Sequence, residues 1–417
     1  MTRIPPRWIA VFVFLFSSSL NYLDRQLLAA VAPILKNDFH LTDHDYGVVL
    51  FAFSIVYAVA APFAGLFIDR VGLNRGMTIA VAAWSLAGLA TGLAGGFESL
   101  LVCRALLGMS EAAAIPGFGK ANGTYLLAHE LALGTALSQI GLSIGGIAAP
   151  LLVGYLAGPF GWRSVFVLCG AAGFFWIPAW LYTARRVPAL RQPGGARSTS
   201  AGDMLRDGRF WGLVIANILY MTMYTLWTNW TTLYFVEARG MTQQQANREF
   251  AWIPPIFATA GGLFGGWMAL RLIRAGVPVI AARMRICLLS ALLLLATATV
   301  PLMPTAGWAA VAISFSFFWV TAMSTNVYVM PIDFFGAGRA AFGVSALTFA
   351  YGIMQAFVSP LIGDLIHWYG FGTVCTAFSF LPLASVAVLR MTTKPAADRR
   401  PAGSPPPQGT VLPPGRS

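Results

Sequence analysis

Apolar residues run through this chain in long continuous stretches, separated at short intervals by polar segments. In order they cover residues 8–35, 46–67, 76–96, 98–120, 134–157, 164–184, 211–236, 249–270, 284–302, 306–331, 340–363 and 371–390. Each is long enough, as a helix, to cross roughly 30 Å of hydrocarbon. A membrane strand needs only about 10 residues and alternates in polarity, so these runs predict helices and not a barrel. The expected fold is an all-α polytopic membrane protein with 12 transmembrane helices. The longest polar interruption, residues 185–210, is rich in Arg, Gly and Ser and separates six runs from six. Two six-helix halves, 1–184 and 211–390, are expected to flank this cytoplasmic linker loop. The tail, 391–417, is rich in Pro and Arg without apolar periodicity and reads as disordered and cytoplasmic.

Composition supports lipid as the solvent. Of the 417 residues, 57% are hydrophobic and 10% charged, against about a quarter charged in a soluble domain. Mean hydropathy is +0.70. The net charge of +12 would suggest nucleic acid in a soluble protein, but its distribution gives another source. With both termini inside, the inner segments collect 20 of the 27 basic residues and the outer segments four. That bias follows the positive-inside rule and predicts a multi-pass protein of the cell (inner) membrane with both termini cytoplasmic. The basic start, Met1 to Arg7, precedes an apolar run that continues past Asp24 without a convincing cleavage site, so it reads as a retained first helix. Cys103, Cys169, Cys287 and Cys375 fall inside apolar runs with no CxxC spacing, so neither a disulfide nor a metal site is expected. His40, His44, His129 and His367 lie at or beyond run ends and read as loop groups. No phosphate loop or nucleophile elbow is present, so no enzyme and no cofactor are expected.

Ionisable side chains within a span are expensive and need a reason. The clear cases are Asp24 and Arg25 in the first span, and Arg104 and Glu111 in the fourth. Arg104 and Glu111 are two helical turns apart, about 10 Å along one face, and can line one cavity wall. Asp24 and Arg25 diverge by about 100° around their helix and serve different partners. Two readings stay open. Asp24–Arg104 and Arg25–Glu111 can be buried ion pairs that only neutralise each other. Alternatively an arginine attracts an anionic substrate while the released carboxylate takes up a proton, which couples the two cargoes. Tyr22 and Tyr57 lie in the first two spans. Tyr220, Tyr224 and Trp227 form a stripe in the seventh span, and Thr348, Tyr351 and Gln355 share a face of the eleventh. Tyr224, Trp227, Thr348, Tyr351 and Gln355 are candidate cavity-wall residues.

After the second span come Gly65, Asp69, Arg70, Gly72 and Arg75, and after the eighth, Gly266, Arg271, Arg274 and Gly276, with Leu270 in place of the acid. The GxxxDRxG pattern resembles the signature loop of the major facilitator superfamily and makes Asp69 and Arg70 candidate gating residues. Asn21, Tyr22, Asp24 and Arg25, with Arg104, Glu111, Pro116 and Lys120, Gly161 to Arg163, and Tyr234 to Gly240, resemble its anion:cation symporter branch. That branch includes bacterial hexuronate and aldonate transporters. The resemblance covers residues 8–390 and implies Arg25 as the anion contact, Asp24 and Glu111 as proton sites, Arg104 as their electrostatic partner, and Tyr22 and Tyr57 in the pocket. It departs at Leu142, at Thr348–Phe349 and at Tyr125 to Leu127, which points to a smaller or more apolar acid as well as a sugar acid.

The expected function is proton-coupled symport of a small organic anion by alternating access, in a lipid-embedded monomer, with protons as the coupling ion and no nucleic-acid partner. Alternatives are a proton-driven exporter of drugs or metabolites, for which Gly141, Gly145, Gly146, Pro150 and Gly154 speak, and a spinster-like lipid transporter.

Overall fold

The computed structural model describes residues 5–127, 130–189, 202–335 and 337–393. Within them the chain is helical, with no strand. The first half contains α1 (Arg7–Asp38), α2 (Asp43–Val71), α3 (Leu73–Gly92), α4 (Phe97–Glu111), α5 (Ala114–Tyr125), α6 (Leu131–Phe160) and α7 (Trp162–Arg186). After the short α8 (Gly202–Leu205), the second half contains α9 (Gly208–Leu233), α10 (Gln243–Gln245), α11 (Ile253–Arg274), α12 (Val279–Leu294), α13 (Ala306–Phe335), α14 (Ala337–Ser379) and α15 (Leu381–Thr393). Residues 190–201 of the expected linker, and the tail beyond Thr393, lie outside the described residues, as does His129.

Nine helical segments among the described residues are long and apolar enough to cross a membrane. One of them, Phe342–Thr393, is 52 residues long. It breaks at Gly370, whose φ of 72° is open to glycine and strained for other residues. The 32-residue α1, with Asp24 and Arg25 in its middle, and the 20-residue α3 complete the bundle. Several helices overrun the hydropathy spans by a few residues, and at α2 a cap is the cause. Thr42 and Asp45 form a capping box ahead of α2. Gly72, at φ 87°, turns the chain from α2 into α3 within one residue.

Small residues set the helix spacing within each half. A Cβ on Gly145 would lie 2.4 Å from the Ser19 carbonyl oxygen, and one on Gly141 would lie 2.8 Å from Ser18 Cβ, so α6 is pressed against α1. The second half repeats the device. Cβ atoms on Gly261 and Gly265 would lie 2.0 and 2.5 Å from carbonyl oxygens of Phe318 and Ala322, which seats α11 on α13. Small residues are how membrane helices approach closely when the surrounding lipid is as apolar as they are. The glycines of α6 that resemble an exporter pattern are thereby accounted for by packing.

The two halves meet along α1, α2 and α6 on one side and α9, α11 and α14 on the other. The end of the bundle where α1 begins is called proximal here, and the end where it finishes, distal. Among the described residues, the inter-half hydrogen bonds and ion pairs lie at mid-depth or distally. Tyr46 Oη donates to the Asn229 carbonyl (2.9 Å), Gln243 Nε2 and Asn247 Nδ2 donate to the Ala30 carbonyl (2.7 and 2.8 Å), and Arg248 Nε donates to the Gly154 carbonyl (2.6 Å). Lys36 bridges Asp43 in its own half (2.6 Å) and Glu237 in the other. His44 meets Asp364 at 2.8 Å. The distal end is therefore sealed.

Candidate functional site

Beneath the distal seal, at mid-depth, lies a cavity of about 110 Å³ shared by the two halves. From the first half it is lined by Tyr22, Gln26, Leu142, Ser143 and Gly146, and from the second by Tyr224, Trp227, Thr228, Pro255 and Phe317, among others. Neither half contributes a charged side chain to this lining. Tyr22 and Tyr224 bring their hydroxyls together across it at 2.8 Å. Ser143 and Thr259 do the same at 2.6 Å.

Arg25, one turn beyond Tyr22 on α1, leaves this cavity on the side of α2 and α4. Its Nε donates to Glu111 Oε2 at 2.6 Å. The guanidinium sits 4.4 Å from the Tyr57 ring centroid and 5.0 Å from that of Phe53. Those two rings stack at 5.8 Å. The local sequence builds this arrangement. Pro116 has no N–H to give the carbonyl of Ala112, so the fourth run breaks into α4 and α5 just after Glu111. Gly108 brings α4 against α2, since its Cβ would lie 2.4 Å from the Phe53 carbonyl oxygen. Glu111 thus ends α4 at the negative pole of the helix, where a carboxylate most needs a cation. The Arg25 side chain is 24% exposed and Glu111 is fully enclosed. The Asn21 side chain also faces Glu111.

Asp24 and Arg104 lie behind this pair. Arg104 is 1% exposed. Its Nη2 reaches Thr91 Oγ1 at 3.4 Å, and its guanidinium sits 5.5 Å from the Phe166 ring centroid. Asp24 is buried in the interior of the first half, close to Gly88 and Gly170 at the meeting of α3 and α7. Asp24 and Arg104 are within electrostatic reach, but no ion pair within 4.0 Å joins them among the described residues. Of the two ion pairs weighed from sequence, Arg25–Glu111 is therefore present and Asp24–Arg104 is not closed.

The sequence candidates fall into three groups. Tyr22, Tyr57, Arg25, Glu111, Tyr224 and Tyr351 come together, the last with its ring 6.3 Å from that of Tyr224, and Trp227 lines the cavity. Asp24 and Arg104 form a buried layer behind them. Thr348, Gln355, Asp69 and Arg70 stand apart from that cluster. Thr348 Oγ1 donates to the Val344 carbonyl of its own helix (3.0 Å). Gln355 lies one turn beyond Tyr351 and is half-buried. Asp69 takes Lys120 Nζ at 2.8 Å at the proximal end, and the same ammonium donates to the Ile68 carbonyl (3.0 Å). Sequence reasoning missed Gln26, Ser143, Pro255 and Phe317. Gln26 follows the Asp24–Arg25 pair, and a search for neutral amides inside spans would have found it. Ser143, Pro255 and Phe317 carry no such signal.

A family model described as Major Facilitator Superfamily matches residues 14–359. The chain is similar to a "Hexuronate transporter" of Escherichia coli (strain K12), 26% identical over 413 residues, covering 94% of this chain and 95% of that one. It is also similar to a "Galacturonate transporter" of Dickeya chrysanthemi, 30% identical over 315 residues, covering 71% of this chain and 91% of the relative. Among solved structures it resembles a bacterial homologue of the human lysosomal transporter spinster, with a TM-score of 0.74 at 19% identity, covering 93% of this chain and 95% of that one. The last likeness concerns the fold.

Proposed function

Because the chain belongs to the major facilitator superfamily, and is thus a multi-pass membrane transporter and not an enzyme, we propose that it carries a small organic anion into the cell in symport with protons. Relatives named for hexuronate and galacturonate support an organic acid as cargo. The observation that carries the reading is the Arg25–Glu111 pair: a partly exposed cation held by an enclosed carboxylate. An incoming carboxylate matches the guanidinium as well as Glu111 does. Once it takes Arg25, Glu111 is left as an unpaired buried anion, and a proton is the least costly remedy. Anion and proton therefore enter together. Asp24, buried and, among the described residues, without an ion-pair partner within 4.0 Å, is the second proton site of this reading, with Arg104 within electrostatic reach.

Twelve helices in two halves rock about the cavity in this reading, with 1–184 and 211–390 as the moving bodies. The basic bias puts the proximal end and both termini in the cytoplasm, so the distal seal faces outward and the cavity is reached from inside. Tyr22, Tyr57, Tyr224, Trp227 and Tyr351 shape the pocket. Asp69 with Lys120 holds the proximal end of the first half.

The test is uptake by purified protein in liposomes under an inward proton gradient. The panel is D-glucuronate, D-galactonate, lactate, benzoate and D-glucarate. We expect accumulation of at least one acid, its loss in Arg25→Ala, and, in Glu111→Gln, loss of gradient drive with retained exchange of substrate for substrate. Gradient-driven accumulation that survives Glu111→Gln would refute the coupling role.

A further inference from the structure

A second cavity, of about 330 Å³, opens on the outside of the first half between α1 and α7. Ile9, Phe12 and Phe16 form its α1 wall, and Phe175, Trp176 and Ala179 its α7 wall, with no charged, amide or hydroxyl side chain. Phe12, Phe16 and Phe175 are exposed. The floor is fixed. Trp176 Nε1 donates to the Val13 carbonyl at 2.7 Å, which uses the polar edge of the indole. The same ring stacks on Trp180 and meets Phe14 edge-on, each at 5.7 Å between centroids. The result is a rigid apolar slot in the lipid-facing surface.

The slot has a direction and a charged mouth. On α7, Phe175, Ala179, Tyr182 and Arg186 succeed one another at helical spacing and share a face. The rise from Phe175 to Arg186 is roughly 16 Å, and the hydrocarbon of one leaflet is about 15 Å deep. Phe175 therefore stands near mid-membrane and Arg186, which ends α7, at the proximal membrane surface. The Arg186 guanidinium sits 5.0 Å from the Tyr182 ring centroid, which holds it over the face that the slot occupies. Arg185 and Arg186 are exposed, and among the described residues no carboxylate comes within 4.0 Å of either. On the α1 side, Arg7 is already neutralised by Glu130 at 2.7 Å. The free positive charge at the mouth thus comes from α7.

We infer that this slot binds one anionic phospholipid from the leaflet at the proximal end, with an acyl chain between Phe12, Phe16 and Phe175 and its phosphate on Arg185 and Arg186. A guanidinium matches a phosphate bidentately. A zwitterionic lipid with the same chains fits the slot equally well but brings no net charge to the two arginines. Each arginine near the membrane surface favours acidic lipid about fivefold, so the pair favours it about thirtyfold. Arg271 and Arg274 make the internal comparison. They end α11 at the same membrane surface, are exposed, and line neither cavity.

The experiment equilibrates the purified full-length protein with equal amounts of dioleoyl-phosphatidylglycerol and deuterated dioleoyl-phosphatidylcholine, and counts retained lipid by native mass spectrometry. We expect one phosphatidylglycerol retained, with a preference of about thirtyfold. Arg185→Gln with Arg186→Gln should remove the preference. Ala179→Phe, which fills the slot, should remove the retained lipid itself. Arg271→Gln with Arg274→Gln should change neither. All five side chains are exposed, so the fold should tolerate the changes, and thermal midpoints check that it does. An equal loss on changing Arg271 and Arg274 would mean diffuse attraction without a site. Lipid retained in Ala179→Phe, or no preference between the two lipids, would overturn the inference directly. So would a dimer that Ala179→Phe dissolves, since a second copy would then be the occupant. None of these readouts involves uptake, so they stand apart from the identity of the cargo.

Discussion

Changing Glu237 to Gln should loosen the distal seal without disturbing either half. Lys36 is 16% exposed in its side chain and is shared by Asp43, 12% exposed, and Glu237, 31% exposed. Its contact with Asp43 stays within the first half and survives any rocking. Its contact with Glu237 crosses between halves and exists only while the distal end is closed. Exposed ion pairs contribute about 0.2–1 kcal/mol and fully buried ones more. For this partly screened geometry, about 1 kcal/mol is a fair figure. The Gln variant should therefore shift the population towards a distally open state about fivefold. The shift stays partial because Tyr46, Gln243, Asn247 and Arg248 still bridge the halves. Spin labels at Glu98→Cys and Thr305→Cys, exposed at the distal ends of opposite halves, would report it by pulsed electron–electron distance measurement. Lys36→Gln should shift the distribution in the same direction. An unchanged distribution in Glu237→Gln would show that the bridge carries no conformational weight. A move towards the closed distance would refute the reasoning outright.

Two further predictions concern stability. Gly145→Val places its Cβ 2.4 Å from a backbone oxygen that cannot yield, so it should cost about 3 kcal/mol or more. Gly119→Ala, with nothing within 4 Å of the new methyl group, should be neutral or stabilise by about 0.5–1 kcal/mol. Thermal midpoints in detergent separate the two. Asp207 caps α9 through the Arg209 backbone N–H (2.8 Å), so Asp207→Ala should cost about 1 kcal/mol at neutral pH. Hydrogen bonds from the Arg209 side chain hold the Asp207 carboxyl below the usual carboxylate range. The folded value is thus depressed relative to the unfolded one, and the stabilisation is present above the ordinary value of about 3.9 and lost as pH falls through the folded value. The difference between wild type and variant should shrink on acidification below that range, and one that grows would contradict the assignment.

Much of the bundle was legible because burial in lipid leaves a long apolar signature. Helix ends were less so, since caps such as Thr42 lie in polar sequence. Arg25, Glu111, Tyr22, Tyr57 and Tyr224 were legible as candidates because charge and aromatic hydroxyls inside a span stand out. Their partners were not. The contact of Tyr22 with Tyr224 joins residues 202 apart, and no local period encodes it. The seven-residue spacing of Arg104 and Glu111 suggested a shared cavity wall. In the fold Arg104 turns into the first half, while Glu111, at the break before Pro116, reaches Arg25. Lys36 and Glu237 are 201 residues apart, and a latch between halves becomes visible only once the halves are docked.

The buried charges of the first half, set behind an uncharged cavity wall, separate two properties that many proteins hold in common. On the function proposed above, what the cargo looks like would be rewritten on α9, α11 and α13 through Tyr224, Trp227, Pro255 and Phe317, while the coupling pair stays on α1 and α4. A lineage can then acquire new nutrients by drift in one half without losing its engine. Directed selection for a new acid should find its useful substitutions concentrated there.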